Sequence, residues 1–207
     1  MAGAEPNLQP RPAGPKRPSW RRFFARFKEA QGPPPGPPLL GAKAALVKVL
    51  GSCFGAGYLP LAPGTWGSLV AFAAWLVGRQ LAANANLRPG LVDMVCFLLS
   101  VVFALATLGL GTLAERAAGR LDPQWFVLDE LAGAFLALYG LAGYNLWAAA
   151  GAFLLFRLLD ATKLGLIGRA ERWLRGGMGI LMDDIFAGAA ANLIVRGVIG
   201  AASLATR

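Results

Sequence analysis

Histidine is absent from the 207 residues, so no imidazole can serve as base, nucleophile or metal ligand. Two cysteines, Cys53 and Cys96, are too few for a disulfide framework, and a thiol in the apolar run around Cys96 behaves as a small hydrophobe. Acids are scarce as well: eleven stand against twenty lysines and arginines, for a net charge of +9. Chemistry on this chain therefore falls to a few carboxylates, hydroxyls, cations and backbone amides. Alternating strand patterns and a repeat period are missing too. No secretory leader is expected, because the first apolar stretch begins only after roughly forty polar residues.

Apolar sequence is plentiful. Hydrophobic residues make up 56% of the chain and charged residues 15%, a balance that exceeds a soluble domain's and points to a membrane. The clearest span is residues 91–113, broken only by Asp93 near one end. A second run, residues 65–83, holds Arg79 where a long side chain can snorkel to headgroups. Residues 131–159 are divided by Gly140, Gly143, Tyr144 and Asn145 into two runs of roughly a dozen, short for separate spans and suited to a helical hairpin. The last run, residues 185–205, carries Arg196. Gly and Ala recur throughout, and small residues let helices approach closely in lipid.

The predicted fold is all-α: a compact, membrane-embedded bundle of short apolar helices over residues 43–207. A soluble helical domain is the competing architecture. Residues 1–42 form a Pro-rich basic tail, expected to be disordered, with ten of the fourteen prolines before residue 39. Within it WRRFFARFKEA suits either a short helix at a lipid surface or a linker. A basic tail can serve nucleic acid or anionic lipid. No RNA- or DNA-reading segment follows, so a membrane is the expected partner and nucleic acid is not.

Five of the eleven acids stand at the edges of apolar runs: Asp129 with Glu130, Asp160, and Asp183 with Asp184. An antiparallel hairpin returns the first three to one side, and the last two begin the final run and join them if the basic segment 163–175 lies along that side. Carboxylates drawn together without enough bases raise each other's pKa, and the usual stable arrangement is with a divalent cation. Oxygen ligands suit Mg²⁺. The plain alternative is that acids simply favour helix N-termini.

A second element is GSCFGAGYLPLAPGTWGSLVAF, rich in glycine and proline just before an apolar helix. Accessible backbone amides and a helix N-terminus suit a phosphate, with Ser52, Pro63, Gly64, Thr65, Gly67 and Ser68 as candidate contacts. Thr65 or Ser68 can equally cap the helix, and the Gly-Lys-Ser/Thr ending of a P-loop is missing. The third element is RLLDATK, where Arg157 and Asp160 share a helix face and Lys163 lies one turn on. Cations for phosphate beside a carboxylate for metal fit phosphoryl chemistry. Arg157 can also merely pair with Asp160.

In order and spacing, FGAGYLPLAPGTWGSL, VLDELAG, FRLLDATK and GGMGILMDDIFAG resemble the phosphatidylglycerophosphatase A family over about residues 43–195. The resemblance implies a Mg²⁺-dependent lipid phosphatase that converts phosphatidylglycerophosphate to phosphatidylglycerol at the cytoplasmic face of a bacterial inner membrane. It places Asp129, Glu130, Asp160, Asp183 and Asp184 at the metal-binding and catalytic centre, the loop from Gly51 to Ser68 near the phosphate, and Arg157, Lys163, Gly176 and Gly177 with the substrate. The chain departs in two places: ATKLGLIG surrounds Lys163 where the family commonly has a Trp- and Pro-rich stretch, and Arg175 stands where a histidine often precedes the two glycines. The rivals fare worse. A CDP-alcohol phosphotransferase lacks its Asp-Gly-x-x-Ala-Arg block here, a cysteine phosphatase needs Arg where Leu59 stands, and histidine-dependent lipid phosphatases have no histidine. A transporter or scaffold whose acids line a water-filled path is the non-enzymatic alternative.

Overall fold

The computed structural model describes residues 34, 36–60, 62–162 and 177–206. The tail with its WRRFFARFKEA segment, together with Lys163, Gly176 and the basic segment 163–175, lies outside the described residues. Six α-helices follow in order: α1 (Gly41–Gly51), α2 (Pro63–Asn84), α3 (Pro89–Ala118), α4 (Leu128–Leu138), α5 (Leu146–Thr162) and α6 (Gly177–Ala205). A 3₁₀ turn (Ala56–Tyr58) separates α1 from α2, and no strand occurs among the described residues.

Local chemistry sets the ends. Pro63 occupies the first turn of α2, where its missing N–H costs nothing. Asn145 caps α5 by accepting a bond from the Ala148 amide at 3.0 Å. Gly119, at φ +66°, closes α3 in the left-handed conformation that a side chain would resist.

The short helix α4 is the hub, packed on α2, α3, α5 and α6. Its Leu131, Ala132, Ala134, Phe135, Ala137 and Leu138 are all buried, and Phe135 stacks on Phe103 of α3 at 5.8 Å. Gly133 and Gly188 let α4 and α6 touch backbone to backbone: a side chain at either would collide with the other helix's main chain.

Two helices, α3 and α6, are long and apolar enough to cross a membrane. At 1.5 Å per residue each runs roughly 45 Å, against about 30 Å of hydrocarbon. Only 22% of the most apolar stretch of each is buried inside the protein, which argues against the core helices of a soluble domain.

Three expectations change in detail. Helix α6 begins at Gly177, well before the apolar run at residue 185, so Asp183 and Asp184 sit about two turns inside it and are buried. The drop in hydropathy there marks acids facing protein, not a helix end. Helix α5 has 17 residues, longer than the expected dozen or so. Arg79, expected at the headgroups, donates within the protein to the carbonyls of Ala142 (3.2 Å) and Tyr144 (3.1 Å) in the α4–α5 turn. Asp93 accepts from the Ala142 amide at 3.1 Å, and Asn192 donates to the carbonyls of Ala137 (2.9 Å) and Tyr139 (2.6 Å). Three helices thus satisfy the polar backbone of a turn that lipid would leave unpaired.

Candidate active site

Glu130 stands in the first turn of α4, Asp160 in the last turn of α5 and Asp184 two turns into α6. One ligand oxygen from each lies within 4.8 Å of the others. The hairpin performs the expected return, and α6 supplies the third acid by passing beside α4 at the Gly133–Gly188 contact, where the Asp184 backbone lies against Gly133. Asp129 is buried next to them, in hydrogen-bonding contact with Asp184, while its Oδ1 has no hydrogen-bond partner. Asp183 is buried on α6 but is not one of the three converging acids.

Arg157 sits at the centre. Its guanidinium pairs with Glu130 and, at 3.0 Å, with Asp160, and so satisfies the plain reading of the i, i+3 pair while joining it to the cluster. It also donates to Ser68 Oγ at 3.2 Å and Thr65 Oγ1 at 3.4 Å. Ser68 donates to the Gly64 carbonyl at 2.8 Å and lies 3.3 Å from Glu130 Oε2. The N-terminus of α2 is therefore stitched to the carboxylates.

The glycines of the preceding stretch explain how α2 arrives there. Gly64 abuts the Glu130 carboxylate, which a side chain would displace, and Gly57 presses on the Trp125 carbonyl. Tyr58 stacks on Trp125 at 6.0 Å, and the Val127 amide donates to the Gly51 carbonyl at 2.9 Å. Gly67 packs on Val127. Ser52 spends its hydroxyl within its own turn, donating to the Val49 carbonyl (3.2 Å) and accepting from the Gly55 amide (3.0 Å). Gly177 starts α6 against the Thr107 carbonyl of α3, a close helix contact.

Electrostatics are strained. Burial, and then the nearby Asp160, push the Glu130 carboxyl up to about 7, against the pull of Arg157 and Ser68. Burial, followed by Glu130 and Asp122, holds Asp129 well above the usual carboxylate range. Among the described residues one guanidinium faces these acids and undercompensates them, and a divalent cation reverses such shifts. The donor set fits a hard cation: three converging carboxylates, a further buried oxygen of Asp129 beside them, and no nitrogen or sulfur ligand.

Glu115 went unnoticed in the sequence. It is buried in the last turn of α3, where its side chain accepts from the Asp122 amide. Its one signal was an acid at a helix C-terminus, where a cation is the favoured occupant.

The family model of phosphatidylglycerophosphatase A matches residues 49–199, which include all five acids. The chain belongs to this family. It is 35% identical over 136 residues to phosphatidylglycerophosphatase A of Escherichia coli strain K12, covering 65% of this chain and 73% of that one. With phosphatidylglycerophosphatase A of Haemophilus influenzae the identity is 31% over 150 residues, 72% of this chain and 86% of the other. A Bacteroides thetaiotaomicron protein, provisionally named a phosphatidylinositol-3-phosphatase, is 31% identical over 157 residues, 73% of this chain and 94% of its own length. No solved structure matches the chain. As a member of the phosphatidylglycerophosphatase A family the protein is a lipid phosphatase, a phosphoric monoester hydrolase.

Proposed function

We propose that the protein hydrolyses the terminal phosphate of phosphatidylglycerophosphate to give phosphatidylglycerol and inorganic phosphate in glycerophospholipid synthesis, with Mg²⁺ as cofactor. The observation that carries this reading is the convergence of Glu130, Asp160 and Asp184 around Arg157 at the N-terminus of α2. Two of the relatives share the substrate in their names.

In this reading Glu130, Asp160 and Asp184 hold the ion, with Asp129 beside them. Bound Mg²⁺ neutralises phosphate oxygens and lowers the pKa of water. Arg157 offers five fixed donors, and its guanidinium neutralises charge that develops on the phosphoryl oxygens. The N-terminus of α2 at Gly64 and Thr65 points its dipole the same way, and Lys163 is a further candidate phosphate contact. Asp129, whose buried Oδ1 has no hydrogen-bond partner beside the three acids, is suited to take the proton of the attacking water as the bond from phosphorus to the glycerol oxygen breaks. The departing glycerol oxygen takes up a proton from solvent and is released as the alcohol. Arg116 and Arg120 at the end of α3 support, by the positive-inside rule, a site on the cytoplasmic side of a bacterial inner membrane.

The test is phosphate release by the purified full chain from phosphatidylglycerophosphate and from phosphatidylinositol 3-phosphate, with Mg²⁺ or EDTA. Release from the first substrate should vanish in EDTA and return with Mg²⁺. Asp160→Asn and Asp184→Asn should each cut turnover at least about a hundredfold while leaving the protein folded. Faster release from the inositol lipid overturns the substrate, full activity in metal-free buffer overturns the cofactor, and no release from either overturns the reading.

A further inference from the structure

A second feature lies away from the carboxylates. Between α1 and α3 runs a groove of about 450 Å³, lined by Leu46, Leu50, Leu110 and Leu113 and carrying Lys43 and Arg116. Val47, Ala114, Phe126 and Leu128 pack together as a buried apolar cluster. Val47 and Ala114 belong to the two helices that form the groove, and Phe126 and Leu128 immediately precede Asp129, so this cluster stands between the groove and the acids.

The groove has a polarity along its length. Lys43 stands near the start of α1 and Arg116 near the end of α3, whereas Leu50 lies about two turns after Lys43 and Leu110 about two turns before Arg116. At 1.5 Å per residue the apolar part extends roughly 10 Å, about the reach of eight methylenes. Neither cation pairs with an acid among the described residues. Among the described residues Arg116 commits only its Nε, to the Pro37 carbonyl at 2.7 Å. Leu46 is 58% exposed, with no partner covering it among the described residues.

A slot with two uncommitted cations at one end and leucines at the other matches the polarity of an anionic phospholipid. We infer that this groove holds one anionic phospholipid, its phosphate at Lys43 and Arg116 and part of one acyl chain between α1 and α3, as a lipid site separate from the hydrolytic centre.

Phosphatidylserine is a suitable probe because it carries no terminal phosphate for the carboxylate centre to remove. The full chain in detergent should retain phosphatidylserine over phosphatidylcholine in native mass spectrometry. Lys43→Glu should reduce that preference at least roughly fivefold. Leu46→Trp, filling the slot from an exposed position, should lower retention of the bound lipid while phosphate release from a short-chain substrate stays within about twofold. A phosphatidylserine with a photoreactive acyl chain should crosslink to residues 46–50 or 110–113. Equal retention of both lipids by the wild type, undiminished retention by both variants, or crosslinks confined to other helices would overturn the site. So would protein crosslinks from residue 46 to a second copy or to residues 20–28. Phosphate release is read separately, so a failed lipid site and a failed hydrolase reading are distinguishable.

Discussion

At the scale of single residues, Glu130 ties the electrostatics to a measurable pH dependence. Its carboxyl rises from an ordinary 4.5 to about 7 through burial and the proximity of Asp160. The folded protein then keeps a proton that the unfolded chain releases. Stability from this group is fully present below about pH 4.5 and is lost as pH rises through about 7. A cation needs the same oxygens ionised, so proton and metal compete. In EDTA the thermal unfolding midpoint should fall between pH 6 and pH 8, and Mg²⁺ should raise it more at pH 8 than at pH 6. Glu130→Gln should flatten both trends. Equal Mg²⁺ shifts at the two pH values in the wild type would show that Glu130 does not titrate against the ion.

At the scale of elements, the crossing of α4 and α6 fixes the distance between Glu130 and Asp184. In lipid there is little hydrophobic drive between helices, so close contact carries the association. Gly188→Ala places a methyl against the Gly133 carbonyl, whereas Gly197→Ala on the same helix meets nothing within 4 Å. The first should cost about 1–3 kcal/mol and lower turnover, since it parts the two acid-bearing helices. The second should be neutral in both thermal unfolding and phosphate release. If the two variants match, the contact is looser than its geometry. The recurrence of glycine announced close packing, and Gly188 closes the GGMGILMDDIFAG block whereas Gly197 lies outside it, but the block does not say which helix Gly188 meets. The carboxylates were legible for a different reason: charges stand out against apolar runs. The start of α6 was hidden by the same contrast, since Asp183 and Asp184 look like an edge until their burial is known. Arg157's links to Ser68 and Thr65 join residues about ninety apart, and no local pattern reports such a meeting.

At the scale of the whole molecule, α3 decides orientation. The loop at residues 85–88 carries Arg88 alone, whereas Arg116 and Arg120 stand at the other end of α3, and on this bias rests the proposal that the latter end faces the cytoplasm. In a Cys53→Ser, Cys96→Ser background, Asn86→Cys should react with a membrane-impermeant maleimide applied to intact spheroplasts, and Arg120→Cys should not. The reverse pattern inverts the topology, and labelling of neither removes the span. The clamp on the α4–α5 turn also imposes an order of assembly. Arg79 and Asp93 are made before the turn they hold, but Asn192 emerges 53 and 55 residues after the carbonyls of Tyr139 and Ala137. At ordinary ribosomal speed that is a wait of roughly 3 to 10 seconds. During it the two carbonyls at the hairpin's tip lack the side chain that holds them in the folded protein, and the turn is completed only when the last helix arrives.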